Sequence, residues 1–177
     1  KAVLENTGTI TIKNGTQSGQ SGIAMELERG NPSSSKAGEL INSGNIVIEA
    51  NAGNVQGATG GVGVFIAVDP YTNPILIKTG NISVRGEGNR GVEVGASVYG
   101  SVDYVNSSRK VDGTGGKIIL EGTKNTGLYI QRALSSTGNN ILDNVKNMDI
   151  YINGTNTPAV SRNTQSASLK AIDMILN

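Results

Sequence analysis

The stretch Thr79-Gly80-Asn81-Ile82-Ser83-Val84 decides the fold, because its pattern recurs along the chain. Four further copies occupy residues 7–12, 43–48, 115–120 and 147–152. The isoleucine at the fourth position returns three times after 36 residues and once after 32 residues, at Ile10, Ile46, Ile82, Ile118 and Ile150. The fifth copy departs from the others, since Met148 stands where they carry glycine. A fixed period of this length is the sequence signature of a repeat architecture.

Two further short elements accompany each copy. One follows it and alternates apolar with polar residues, as in Gly91-Val92-Glu93-Val94; its other copies begin at Gly22, Gly61 (or Gly63, two residues on), Gly127 and Pro158. The other precedes it and is mostly apolar; its copies occupy residues 2–6, 39–42, 75–78 and 141–145. Residues 174–177 match the approach to Asn42, and we therefore predict that they repeat this preceding element.

These elements have the pattern of half-buried β-strands. Each is short and is bounded by glycine, asparagine, serine and threonine, which favour turns. About three short strands in each period of about 36 residues indicate a β-solenoid. The predicted fold is all-β: a right-handed parallel β-helix of about five coils, with the hand taken from the usual preference of parallel crossovers. Residues 166–176 alone have helical spacing, and a strand with a turn is the preferred interpretation there.

Stacked coils place equivalent residues on top of one another. We predict two interior columns, one of Ile10, Ile46, Ile82, Ile118 and Ile150, and one of Ile12, Ile48, Val84, Leu120 and Ile152. Burial of each such side chain contributes roughly 1.5–3 kcal/mol. The glycine before each of these strands is predicted to hold a positive φ angle, which other residues rarely adopt. Because Met148 replaces that glycine, the fifth coil is expected to turn differently.

The composition argues against several classes of function. The 177 residues include no His, Cys or Trp, which excludes catalytic groups built on His or Cys, disulfides, and thiolate or imidazole metal sites. The 15 basic and 14 acidic residues give a net charge of +1, without the basic stripe that binds nucleic acid. The longest apolar run, 62–68, is far shorter than a membrane span, so we expect no direct membrane insertion by this segment. No metal or cofactor is predicted.

Carboxylates are the main acid–base groups that remain, beside Lys and Tyr. The period can bring Asp69 near Asp103, with Arg109 beside them, as a β-helical polysaccharide-cleaving enzyme would need. The aspartates do not recur on one face, and we therefore predict no catalytic residue and no enzyme. Two glycine-rich stretches, 86–91 and 60–63, resemble nucleotide- and calcium-binding motifs. A strand pattern follows the first, and the second lacks the required aspartate, so both are interpreted as turns.

Irregular stretches that leave the repeat are the candidates for binding, because a uniform solenoid wall offers little specificity. Two of them, 69–74 and 99–109, supply the candidate binding residues, which are Asp69, Tyr71, Asn73, Tyr99, Tyr104, Asn106 and Arg109. A third irregular stretch is 29–35. The alternative is that all three are plain solvated loops.

The repeated units resemble the passenger domains of bacterial autotransporters, the proteins of type V secretion. The units read Asn-Thr/Ser-Gly-x-Ile-x-Ile, then a polar turn, then Gly-Val/Ile-x-Val, and their Cys-free composition is most similar to the very large fusobacterial outer-membrane adhesins. The resemblance implies a single segment, 1–177, of a longer right-handed β-helix. It also implies display at the bacterial cell surface, with a C-terminal barrel outside this chain as the outer-membrane anchor, and it brings no catalytic or metal motif.

Three functions follow as hypotheses. The resemblance implies a virulence-associated adhesin that attaches to host glycans, host protein receptors or partner bacteria. The first alternative is a structural spacer of the β-helical stalk, and the second is the polysaccharide-cleaving enzyme. Loop content favours the adhesin over the spacer, because a spacer needs only tight and regular coils.

Overall fold

The computed structural model describes residues 3–13, 22–27, 39–51, 60–68, 75–96, 110–113, 115–130, 145–162 and 174–176. Within these ranges the chain forms β-strands and contains no helix, which confirms the all-β class. In chain order the strands are β1 (Val3–Asn6), β2 (Thr9–Ile12), β3 (Ile23–Leu27), β4 (Glu39–Asn42), β5 (Asn45–Ile48), β6 (Val62–Val68), β7 (Ile75–Lys78), β8 (Asn81–Val84), β9 (Arg90–Ala96), β10 (Lys110–Asp112), β11 (Ile118–Thr123), β12 (Thr126–Ile130), β13 (Val145–Lys146), β14 (Met148–Thr155), β15 (Val160–Arg162) and β16 (Met174–Leu176).

The strands pair in parallel and form three sheets. Sheet 1 contains β1, β4, β7, β10 and β13; sheet 2 contains β2, β5, β8, β11, β14 and β16; sheet 3 contains β3, β6, β9, β12 and β15. Up to β15, each sheet therefore takes every third strand of the chain.

The strand β16 departs from this order. Met174 pairs with Met148, and Leu176 pairs with Ile150, so β16 belongs to sheet 2. The prediction that residues 174–177 repeat the sheet 1 element is therefore wrong. A short Met-Ile-Leu run fits an apolar position in either sheet, and only the pairing with β14 decides between them.

The first predicted column is confirmed by the register of sheet 2. The pairs along it are Ile10–Ile46, Ile46–Ile82, Ile82–Ile118 and Ile118–Ile150. From Ile46 onward these side chains are at most 1% exposed, while Ile10, on the outermost strand, is partly buried. Neighbouring strands lie about 4.8 Å apart, so each isoleucine packs against its equivalents above and below.

The second predicted column has the same register, but its last member is not buried. Ile48, Val84 and Leu120 are fully buried, whereas Ile12 is 8% and Ile152 is 40% exposed. The pairing between β14 and β16 stops at Ile150, so Ile152 lies beyond the residues that β16 covers. The predicted pairing of this column is thus confirmed, but its last side chain, Ile152, is not buried.

Sheet 3 contributes to the same hydrophobic core. The core pairs along it are Met25–Val64, Val64–Val92 and Val92–Leu128, and these side chains are at most 2% exposed. In this register both glycines that could begin the second copy of the element have an equivalent, each on a different neighbouring strand. Gly63 aligns with Gly91, whereas Gly61 aligns with Gly22 on the other side of the same strand.

The glycines before the sheet 2 strands serve close packing of the backbone. A Cβ atom at Gly44 would lie 2.0 Å from the carbonyl oxygen of Gly8, and one at Gly116 would lie 2.0 Å from that of Gly80. No side-chain movement relieves such contacts, because the atom in the way belongs to the backbone. Glycine is therefore required by the close approach of successive strands at this corner.

The predicted positive φ angles are found at only one of these positions. Gly80 has a φ of 56°, but Gly8, Gly44 and Gly116 do not have positive φ angles. The fourth and fifth copies place the positive φ one residue earlier, at Gly115 (79°) and Asn147 (55°). The prediction was therefore wrong for most copies. In the fifth copy Met148 is free to start β14, and its side chain is buried.

Buried asparagines hold the turn between sheets 2 and 3. The Gly61 amide donates to Asn89 Oδ1 at 2.7 Å, and Asn89 Nδ2 donates to the carbonyl of Ala50 at 2.6 Å. The Asn89 amide in turn donates to Asn125 Oδ1 at 2.8 Å, one repeat further on. Both asparagines are fully buried, and the buried Thr157 follows them after 32 residues. The asparagine bonds therefore link the residues that precede β6, β9 and β12.

Candidate functional site

The residues predicted to bind lie outside the part of the chain that the structure describes. They are Asp69, Tyr71, Asn73, Tyr99, Tyr104, Asn106 and Arg109. Asp103, the third member of the enzyme-like arrangement with Asp69 and Arg109, lies outside it as well. These predictions therefore stay predictions, and the described residues supply the frame around them.

The described strands bring together the ends between which these candidate binding residues lie. Residues 69–74 leave β6 and enter β7, and residues 97–109 leave β9 and enter β10. Val68 pairs with Ala96 where the connections begin, and Ile75 pairs with Lys110 where they end. Because neighbouring parallel strands lie about 4.8 Å apart, the two connections start as neighbours and end as neighbours.

Because the strands of each sheet run in parallel, every connection from sheet 3 to sheet 1 starts at the same end of the sheet 3 strands. These connections are 28–38, 69–74, 97–109 and 131–144. Connections from sheet 1 to sheet 2 are far shorter, as between β4 and β5 or β7 and β8. Long connections therefore lie at this corner, and also between sheets 2 and 3, where residues 13–22 and 49–61 join the strands.

The outward face of sheet 3 carries a second feature, an aromatic and acidic column. Phe65 pairs with Glu93, and Glu93 pairs with Tyr129. They alternate with the core residues Val92 and Leu128, so their side chains point away from the core. Glu93 is nevertheless only 3% exposed. An outward carboxylate with so little access to water needs a partner to offset its lost hydration.

Arg90 is that partner. Its Nη1 donates to Glu93 Oε2 at 2.8 Å, and its guanidinium carbon lies 3.6 Å from the centre of the Tyr129 ring. The side chain of Arg90 is 17% exposed, whereas that of Arg85, which directly follows β8 of sheet 2, is 53% exposed. The guanidinium is thus held on two sides, by a buried carboxylate and by an aromatic face.

The sequence analysis missed this cluster. It assigned Arg90 to the turn at 86–91 and treated Glu93 and Tyr129 as ordinary strand residues. One signal in the sequence could have pointed to it. Aromatic residues make up only 3% of the chain, so Phe65 and Tyr129 stand out among the strand residues. The two-residue uncertainty at Gly61 and Gly63 hid the alignment that brings Phe65 beside Glu93.

The outward side of sheet 2 has an ordinary charged surface. Arg85 lies 3.5 Å from Glu49 and 2.9 Å from Glu121, which places one arginine between the carboxylates of two neighbouring strands. Lys124 pairs with Glu87 at 2.6 Å. All of these side chains are substantially exposed, and such pairs contribute about 0–1 kcal/mol each.

Residues 86–89 connect β8 to β9, whereas Val62 and Gly63 already belong to β6, so the interpretation of 60–63 as a turn is wrong for these two residues. The Gly60 amide donates to the carbonyl of Gly88 at 3.0 Å, and the strand β9 directly follows residues 86–89. A dinucleotide site would need a helix at that point. Among the described residues, no group of three or more acidic side chains is placed to hold a metal ion. The same residues include no helix that is long and apolar enough to cross a membrane.

Sequence and structure comparisons add no relative to this picture. The chain was compared with protein-family models, with curated proteins and with solved structures. None of the three comparisons finds a match.

Proposed function

We propose that the chain is a segment of a right-handed parallel β-helix from the passenger of a bacterial autotransporter, displayed at the cell surface as an adhesin. Successive strands of the chain belong to sheets 1, 2 and 3 in turn up to β15, and this order supports the coiled arrangement. The aliphatic columns support it as well, because equivalent residues pair at the repeat spacing. A stack of this kind contacts only its neighbours, so it can fold progressively during export.

The observation that carries the adhesin function is the shared corner of the long connections. Residues 69–74 and 97–109 start from paired strand ends and finish at paired strand ends. A rigid stack that presents several inserts along one edge suits the recognition of an extended ligand, since binding residues tend to lie on loops held by a rigid scaffold. The partner class is a host glycan, a host protein receptor or a second bacterium.

A structural spacer is the second candidate. The regular register of sheet 2 favours it, because that register repeats with little variation from strand to strand. A spacer, however, has no use for inserts as long as 97–109, and this favours the adhesin.

Cell attachment tests the adhesin function. We expect saturable binding of the labelled chain to epithelial cells or to partner bacteria. Tyr71→Ala and Tyr104→Ala should each lower the affinity at least about fivefold, as expected for aromatic anchors in a binding surface. The matched control is Tyr151→Ala, which removes a tyrosine that is 38% exposed on the outward face of sheet 2.

The outcomes separate the candidates. Loss of binding after enzymatic removal of surface glycans would indicate a glycan ligand, and binding that survives it would indicate a protein receptor. A well-folded chain that binds neither host cells nor bacteria would contradict the adhesin function and favour the spacer. An equal loss in all three tyrosine variants would contradict the role of the two connections.

A further inference from the structure

Arg90 differs from the other exposed basic residues of the described chain because its position is fixed before any ligand arrives. Its Nη1 bonds Glu93, and its guanidinium plane rests against the Tyr129 ring. Arg85 and Lys124, by contrast, have side chains that are 53% and 64% exposed. Fixing a long side chain in advance lowers the entropy that binding would otherwise cost.

The guanidinium keeps donors to spare. Arginine has five N–H groups and no acceptor, and Glu93 takes one of them at 2.8 Å. The described residues give no partner to the others. Glu93 lies beneath with its side chain 4% exposed, whereas the Arg90 side chain is 17% exposed. On the outward face of sheet 3 the guanidinium is therefore more accessible than the carboxylate beneath it.

We propose that this cluster, Phe65, Arg90, Glu93 and Tyr129, is a binding site for a sugar that carries a carboxylate. A carboxylate matches the planar donor fork of arginine better than a neutral hydroxyl does. Phe65 and Tyr129 flank the site along the column and offer apolar surface to the ring of a sugar. The inference rests on the proposed adhesin function, to which it adds a site and a ligand class.

Glu93 has a positioning role in this site. It is buried behind Arg90, and together with Tyr129 it holds the guanidinium in one orientation. Its charge also leaves the pair nearly neutral, so the site selects for the geometry of the fork rather than for any anion. Chloride, which cannot match the fork, should therefore compete poorly with the sugar.

An NMR titration with sialyllactose tests the site, with lactose as the neutral probe. We expect sialyllactose to bind at least about tenfold more tightly than lactose, with shifts centred on the amides of residues 90–93 and 127–129. Arg90→Lys keeps the charge but loses the fork and the stacking, and should weaken sialyllactose at least about tenfold. The matched control Arg85→Lys alters an arginine that is also paired with carboxylates but lies away from an aromatic ring, and should change nothing.

Several results would overturn the site. These are equal binding of the two probes, no binding of either, shifts elsewhere on the chain, or equal losses in the two arginine variants. Because the shift map uses the unaltered chain, the test holds even if Arg90→Lys fails to fold. Cell attachment without any binding of sialyllactose at Arg90 would overturn this site and leave the adhesin function standing. Sialyllactose binding at Arg90 without any cell attachment would support the site and contradict the adhesin function.

Discussion

Replacing Leu120 with alanine should lower the free energy of unfolding by about 2–5 kcal/mol. Leu120 is fully buried and lies in the second column, in register with Val84 on one side and Ile152 on the other. Truncation removes apolar contacts within the buried core, and the backbone pairing on both sides of β11 leaves little freedom to collapse into the cavity. Urea denaturation followed by circular dichroism measures the loss.

The matched control for this prediction is Ile152→Ala. Ile152 is the next member of the same column, but it is 40% exposed and has no strand over it in the described chain. Its truncation should cost only about 1–1.5 kcal/mol, since a smaller part of its side chain is buried. Equal losses for the two variants would contradict the interior position of Leu120.

The second large effect is expected for Gly116→Ala. The added Cβ would lie 2.0 Å from the carbonyl oxygen of Gly80 on the neighbouring repeat, so the backbone of one repeat must move away from the other. Overpacking typically costs about 1–3 kcal/mol, and this contact belongs at the upper end because no rotamer change relieves it. The midpoint of urea denaturation should fall accordingly.

The control for Gly116→Ala is Gly8→Ala. Gly8 begins the first copy of the same pattern, does not have a positive φ, and would place its Cβ no closer than 4.0 Å to Asn6. We expect a change in stability of less than about 1 kcal/mol, because alanine restricts the unfolded chain at no steric cost. A destabilisation as large as that of Gly116→Ala would mean that the close approach of the repeats is not the cause.

The repeat made much of the fold predictable. Inward positions must match the equivalent position of the next strand, so Ile10, Ile46, Ile82 and Ile118 return at a fixed spacing and identify their own register. The turn asparagines Asn89 and Asn125 return at the same spacing, because each uses its side chain to satisfy the backbone of a neighbouring turn.

The remaining features depend on geometry that a residue pattern does not carry. Gly44 and Gly116 look like turn glycines, yet close backbone approach rather than a positive φ requires them. Met174 could begin a strand of either sheet, and pairing with Met148 decides the matter. Outward residues are free to vary from copy to copy. The repeat therefore does not indicate that Arg90 and Glu93 form a cluster.

The account rests on the stacking of equivalent residues, and a pair of cysteines tests it most directly. Val47 and Ser83 are paired on the outward face of β5 and β8, and Ile119 follows in the same column on β11. Adjacent strands satisfy the separation that a disulfide needs, whereas strands two apart, at roughly 10 Å, do not. The chain contains no cysteine of its own to interfere.

Val47→Cys combined with Ser83→Cys should form an intramolecular disulfide under mild oxidation, read by mass spectrometry of the digested chain. Val47→Cys combined with Ile119→Cys should stay reduced. A 47–119 bond that forms as readily as the 47–83 bond, or a 47–83 pair that stays reduced in the folded chain, would contradict the stacking and with it the proposed β-helix.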